Sequence, residues 1–114
     1  MANRRLCQKI IEEHFELPFK RATLGCYKID FYNWRLRIAV VYKSIHHCKY
    51  SPKFHKTYSK FVATCFRDRE IEEFCRMNDI TLITISYNAW CVLGIIRRKL
   101  GIPNDCRCLS CSIN

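Results

Sequence analysis

The 114-residue chain reads as a single α/β domain of the α+β kind, in the order αβββαβα, and three patterns point there. Apolar residues recur at three-and-four spacing near 4–15, 58–77 and 89–100, the period of a helix with one buried face. Short runs rich in β-branched residues separate them, at 19–24, 26–31, 35–43 and 81–87. An apolar content of 49% suffices for one core, and the length leaves no room for a second. The domain is read as 1–101, followed by a cysteine-rich tail over 102–114.

In the first helix Leu6, Cys7, Ile10, Ile11 and His14 share a face, Gln8, Lys9, Glu12 and Glu13 take the other, and Pro18 closes the segment. The next two strands are hinged at Gly25, and Asn33-Trp34 turns the chain into the strand over 35–43. Phe61, Cys65, Ile71, Phe74 and Cys75 lie on or near one face of the long helix, which Asn78-Asp79 breaks. The run from Thr81 to Tyr87 has the composition of an interior strand. The last helix, carrying Ala89, Val92, Leu93, Ile96 and Leu100, stops at Gly101 with Pro103 just beyond.

Charge is distributed unevenly. The net charge is +10, and between Phe31 and Arg67 stand eight Lys or Arg residues, three of the four histidines and no Asp or Glu. A phosphate-rich partner suits that window, with cations to hold a backbone and aromatic rings between them for stacking. The expected contacts are Arg35, Arg37, Lys49, Tyr50, Lys53, His55, Lys56 and Lys60, with Phe54 and Tyr58 as further rings, ranged along one groove. Neutralising about five phosphates would give a salt slope near −4.5 on duplex DNA. Arg97-Arg98-Lys99 either extends the patch or complements a helix C-terminus. No transmembrane span or cleavable leader is evident, which places a soluble protein inside the cell with no membrane partner.

Nine cysteines is an odd count and no export signal accompanies them, so reduced thiols are expected. Cys7, Cys65, Cys75 and Cys91 fall on apolar helix faces and read as small buried hydrophobes. Cys106, Cys108 and Cys111 have zinc-ligand spacing without a fourth partner. Cys91 or a histidine completes a structural Zn²⁺ site on one reading; on the other the tail is a set of free thiols.

The succession Ile29-Asp30, Ile38-Ala39-Val40-Val41-Tyr42-Lys43-Ser44-Ile45-His46-His47, Pro52, Phe54-His55, Phe61, Arg67-Asp68-Arg69, Cys75, Asn78, Ile80, Leu82-Ile83 and Ile85 to Tyr87 resembles the PD-(D/E)XK nuclease superfamily. The branch is the very-short-patch-repair-like and homing-endonuclease-associated one of bacteria, phages and large DNA viruses, and the likeness covers about 3–87. It implies a restriction-endonuclease-like core, a mixed four-stranded sheet flanked by helices, that binds DNA. It also implies Mg²⁺ or Mn²⁺ held by an Asp on one strand and a Glu on the next, activating water against the scissile phosphate. Asp30 matches the first position, Lys43 the lysine of the motif, and His46 and His47 its end. At the position of the Glu stands Val41, which has no metal-binding atom, and an acidic position of the first helix aligns with Arg4. The resemblance therefore implies a remnant catalytic site of Asp30, Lys43, His46 and His47, with Asp30 as the one conventional metal ligand.

Three functions follow as expectations. The first is a nucleic-acid-binding protein with a crippled phosphodiesterase site. The second is a working nuclease in which His46, Glu12 or Glu13 replaces the missing carboxylate. The third is a viral interaction protein that binds a host or viral protein, or a second copy of itself through the tail, in the cytoplasm or nucleus of a host cell. On a purely structural reading Asp30 pairs with Lys43, His46 and His47 hydrogen-bond backbone, and His55 is exposed.

Overall fold

The computed structural model describes residues 3–44, 50–55, 57–89 and 91–102. His46, His47, Lys49, Lys56, the Phe54 side chain, Cys106, Cys108 and Cys111 lie outside what is described. Helix α1, Arg4–Phe15, starts where the Asn3 side chain accepts from the Leu6 N–H at 2.8 Å and ends at Glu16 in the left-handed region. Strands β1, Lys20–Leu24, and β2, Tyr27–Asn33, form a hairpin around Gly25, whose φ is 63°. A Cβ at Gly25 would also stand 3.1 Å from the Phe74 ring, so glycine serves both the turn and the packing.

Strand β3, Ile38–Lys43, runs antiparallel to β2 and parallel to β4, Thr81–Ser86. The parallel connection requires a crossover, made by the single turn α2, Pro52–His55, and the long helix α3, Tyr58–Met77. Helix α4, Val92–Leu100, completes the fold and ends at Gly101 with φ 71°. The sheet order is β1-β2-β3-β4, mixed and flanked by helices, with αβββαβα as its frame and α2 as an unforeseen addition.

Each face of the sheet is covered. Phe31, Ile38, Val40, Ile83 and Ile85 pack against Cys7, Ile11, Val92 and Ile96 of α1 and α4. Ile29, Ala39 and Val41 pack against Ile71 and Cys75 of α3. The unbroken apolar run Ile38-Ala39-Val40-Val41 is what a strand buried on both faces needs. Ile83 is fully buried, so Ile83→Ala should lower stability by about 3 kcal/mol through lost transfer energy and a residual cavity, read from the urea midpoint at unchanged m-value. A loss below about 1 kcal/mol would mean that the core does not lie where these contacts put it.

Two boundaries differ by three residues from the sequence reading. Strand β3 begins at Ile38 rather than 35, because Arg37 takes φ 56° and its guanidinium reaches the carbonyls of Asn78 and Asp79 at the C-terminal end of α3. A side chain committed there turns the backbone out of the ladder. Helix α4 starts at Val92, not near 89, with Cys91 as its cap: the Cys91 Sγ accepts from the Gly94 N–H at 3.3 Å. Cys91 is thus a capping group rather than a core hydrophobe, and Cys65 is only half-buried, whereas Cys7 and Cys75 are buried as expected. In α3 only Ile71 and Cys75 reach the core; Phe61 packs instead on Tyr50, His55 and Tyr58. All five described cysteines are free thiols, and among the described residues no helix is long and apolar enough to cross a membrane.

Candidate nucleic-acid interface

Asp30 sits at an irregularity in β2. Lys20 pairs with Tyr32, but Ala22 pairs with Ile29, so two steps along β1 match three along β2. Strict alternation would put Ile29 and Phe31 on one face; here Ile29 joins the α3 side and Phe31 the α1 and α4 side. A bulge of this kind re-aims one side chain. The Asp30 carboxylate accepts from the Tyr42 backbone N–H at 2.9 Å and lies 3.2 Å from Arg4 Nε, its side chain 18% exposed. The Arg4 guanidinium stands 5.9 Å from the centroid of the Tyr42 ring. Burial, reinforced by the negative charge of Asp30, pushes the Cys7 thiol up to about 11.

On the other side of β3, Val41 is buried against Ile71, and Lys43 shares its face, two residues on. Lys43 Nζ lies 3.7 Å from Asp68 Oδ2, and Asp68 stands on α3 one turn before Ile71, which carries it there. The expected Asp30–Lys43 pair is therefore replaced by two pairs, Arg4 with Asp30 and Asp68 with Lys43. The bulge aims Asp30 at the start of α1, whereas Lys43 follows Val41 towards α3. Glu12 and Glu13 do not supply a substitute ligand either: Glu12 Oε2 accepts from the Phe19 N–H at 2.7 Å, and Glu13 is exposed.

A groove of about 700 Å³ opens between the start of α1, the β1–β2 hairpin and the middle of α3, with Val41 and Tyr42 among its lining. Its cations are Arg4, Arg21, Lys28 and Arg67; its carboxylates are Asp30, Asp68 and Glu70. Every carboxylate is engaged, Glu70 by the Tyr27 hydroxyl, which donates to it at 3.3 Å. Arg21, Lys28 and Arg67 are exposed and make no hydrogen bond or ion pair among the described residues. Fit to a hard divalent cation is poor, since Asp30 already faces a guanidinium and a backbone N–H, and Asp68 an ammonium. Among the described residues no three His, Cys, Asp or Glu side chains converge to hold a metal ion.

Those predicted cations that are described are not ranged along this groove. Arg37 is tied to the end of α3, and Arg35 lies beside Trp34 at the far turn. Lys53 and Lys60 are exposed on α2 and the first turn of α3, outside the groove lining. His55, expected at the surface, is only 4% exposed: its Nδ1 accepts from the Ser51 N–H at 3.0 Å and its ring packs on Tyr50 and Phe61. It is a structural histidine. Tyr50 and Tyr58 remain exposed at the rim of that ring cluster. Arg98 Nε donates to the Gly94 carbonyl, and the basic end of α4 complements its C-terminus.

Sequence reasoning missed Arg21, Lys28, Arg67 and Asp68 as groove residues. Arg21 and Lys28 fall outside the acid-free window, and their only signal is outward charge on a hairpin; Asp68 was visible within Arg67-Asp68-Arg69.

These features define an α+β domain with a cationic groove at a bulged strand. No family model and no solved structure matches the chain. It is similar to the uncharacterized protein 307L of Invertebrate iridescent virus 6, 35% identical over 73 residues that cover 64% of this chain and 37% of that protein. The chain thus spans well under half the length of the relative it matches.

Proposed function

We propose that this chain is a nucleic-acid-binding protein built on the PD-(D/E)XK nuclease plan whose phosphodiesterase site no longer cleaves. The element order and mixed sheet agree with that plan, and the motif positions Asp30 and Val41 line one groove, with Lys43 reaching it only through its pair with Asp68. One observation carries the reading: Arg4 lies on Asp30 and Val41 is buried under Ile71, where an ion-binding pair of carboxylates would be needed. The groove has kept three outward cations while its carboxylates are all engaged internally, so it attracts phosphate and repels nothing strongly.

Duplex DNA labelled for fluorescence anisotropy tests this directly. With three phosphates neutralised, log affinity in EDTA should fall against log salt with a slope near −2.7, and binding should need no divalent cation. Supercoiled plasmid should stay intact in Mg²⁺ or Mn²⁺. Nicking that Asp30→Ala abolishes would make the protein a nuclease; no binding even at low salt would make it a protein-interaction module.

A further inference from the structure

Trp34 is 78% exposed, the most open of the large apolar side chains among the described residues. It does not sit on a loose loop. The buried Asn33 side chain donates to the Pro18 carbonyl at 3.0 Å and accepts from the Leu36 N–H at 2.9 Å, and Arg37 anchors the turn to the end of α3. Keeping an indole in water on a braced turn forgoes the burial that drives such rings inward, which is the pattern of a ring presented to a ligand. Beside it a cavity of about 290 Å³ is lined by Pro18, Lys20, Tyr32, Trp34 and Arg35 among others, with two cations and no acid. Cavities of about 150 Å³ admit a benzene ring, so one base fits.

Lys20 pairs with Tyr32 across the hairpin and is followed directly by Arg21 of the groove, on β1 at the open edge of the sheet. Lys20 and Arg21 leave opposite faces of that edge strand, so a polyanion held at Arg21 reaches Lys20 by passing round the open edge. Rings with flanking cations suit a base between two phosphates, and in a duplex that base is already stacked and out of reach. We infer that this cavity is a subsite for one unpaired nucleobase, stacked on Trp34 with the adjoining phosphates on Lys20 and Arg35. It rests on the proposed nucleic-acid binding and adds a preference for single strands at one end of the footprint.

The test uses the full chain in a Trp90→Phe background, which leaves Trp34 as the single indole. Its emission is followed while a ten-nucleotide thymidine strand, an abasic strand of equal length and a duplex of equal length are added. The thymidine strand should quench Trp34 and the other two should not. Trp34→Ala should weaken the thymidine strand about tenfold, and Lys20→Gln with Arg35→Gln at least as much, while duplex affinity stays within about twofold. Thymidine-strand binding with unchanged emission, or equal quenching by the abasic strand, overturns the subsite while duplex binding leaves the groove standing. Absence of binding by all three sinks both. Quenching is read on a chain with Trp34 intact, so the result does not depend on the alanine variant folding.

Discussion

Replacing Arg21, Lys28 and Arg67 together by glutamine should lower duplex affinity by roughly two to three orders of magnitude at physiological salt and flatten the salt slope from about −2.7 to near zero. The three side chains come from β1, β2 and α3, and the tertiary fold alone brings them to one groove. Each is exposed, so the substitutions remove charge without opening a cavity, and the thermal midpoint should hardly move. Counterion release makes each lost contact cost about one unit of slope, which separates phosphate contact from a general fall in net charge. Lys53→Gln with Lys60→Gln, two exposed lysines outside the groove, is the matched control and should change the slope little. Equal losses in both sets would mean that binding is diffuse and the groove is not the interface.

The second large effect is a gain. Val41→Glu alone should cost about 3 kcal/mol, because a carboxylate enters a site 9% exposed between Ala39 and Ile71, with Asp68 nearby and Lys43 already paired. Adding Arg4→Gln removes the guanidinium from Asp30 and leaves carboxylates on β2, β3 and α3 around one groove. Oxygen ligands of that number suit Mg²⁺, and a metal at a hundred times its dissociation constant stabilises by about 2.7 kcal/mol. The double variant should therefore gain roughly 10 °C in its thermal midpoint with 10 mM Mg²⁺, and the wild type less than about one degree. The pair Arg4 and Val41 is the proposed reason for metal independence, so an equal Mg²⁺ shift in the wild type would defeat it.

Much of the fold was legible because burial imposes a period. The helix at 4–15 and the long helix at 58–77 were bounded within a residue, since capping groups and apolar spacing are local properties. The strand over 35–43 was legible as a strand, but the structure alone shows its run Ile38-Ala39-Val40-Val41 covered on both faces by α1, α3 and α4. The run 81–87, which reads as an interior strand, forms β4 at an edge of the sheet. The start of β3 was misjudged because the guanidinium of Arg37 answers to carbonyls some forty residues away. His55 reads as a surface contact because the neighbouring rings Tyr50 and Tyr58 read as stacking groups for a ligand, whereas in the fold they and Phe61 close on His55 itself.

The candidate site divides along the same line. Asp30, Val41 and Lys43 could be picked out in the chain, and the two-residue spacing of the latter pair put them on one face of β3. Which charge meets which was decided in three dimensions. A single added residue in β2 turns Asp30 to Arg4, and the packing of Ile71 on Val41 brings Asp68 to Lys43. Composition alone determined that the chain is strongly basic and has apolar residues enough for one core. Tertiary structure decided where the basic charge is free to act, because a cation is available to a phosphate only if no carboxylate from a distant element has reached it first.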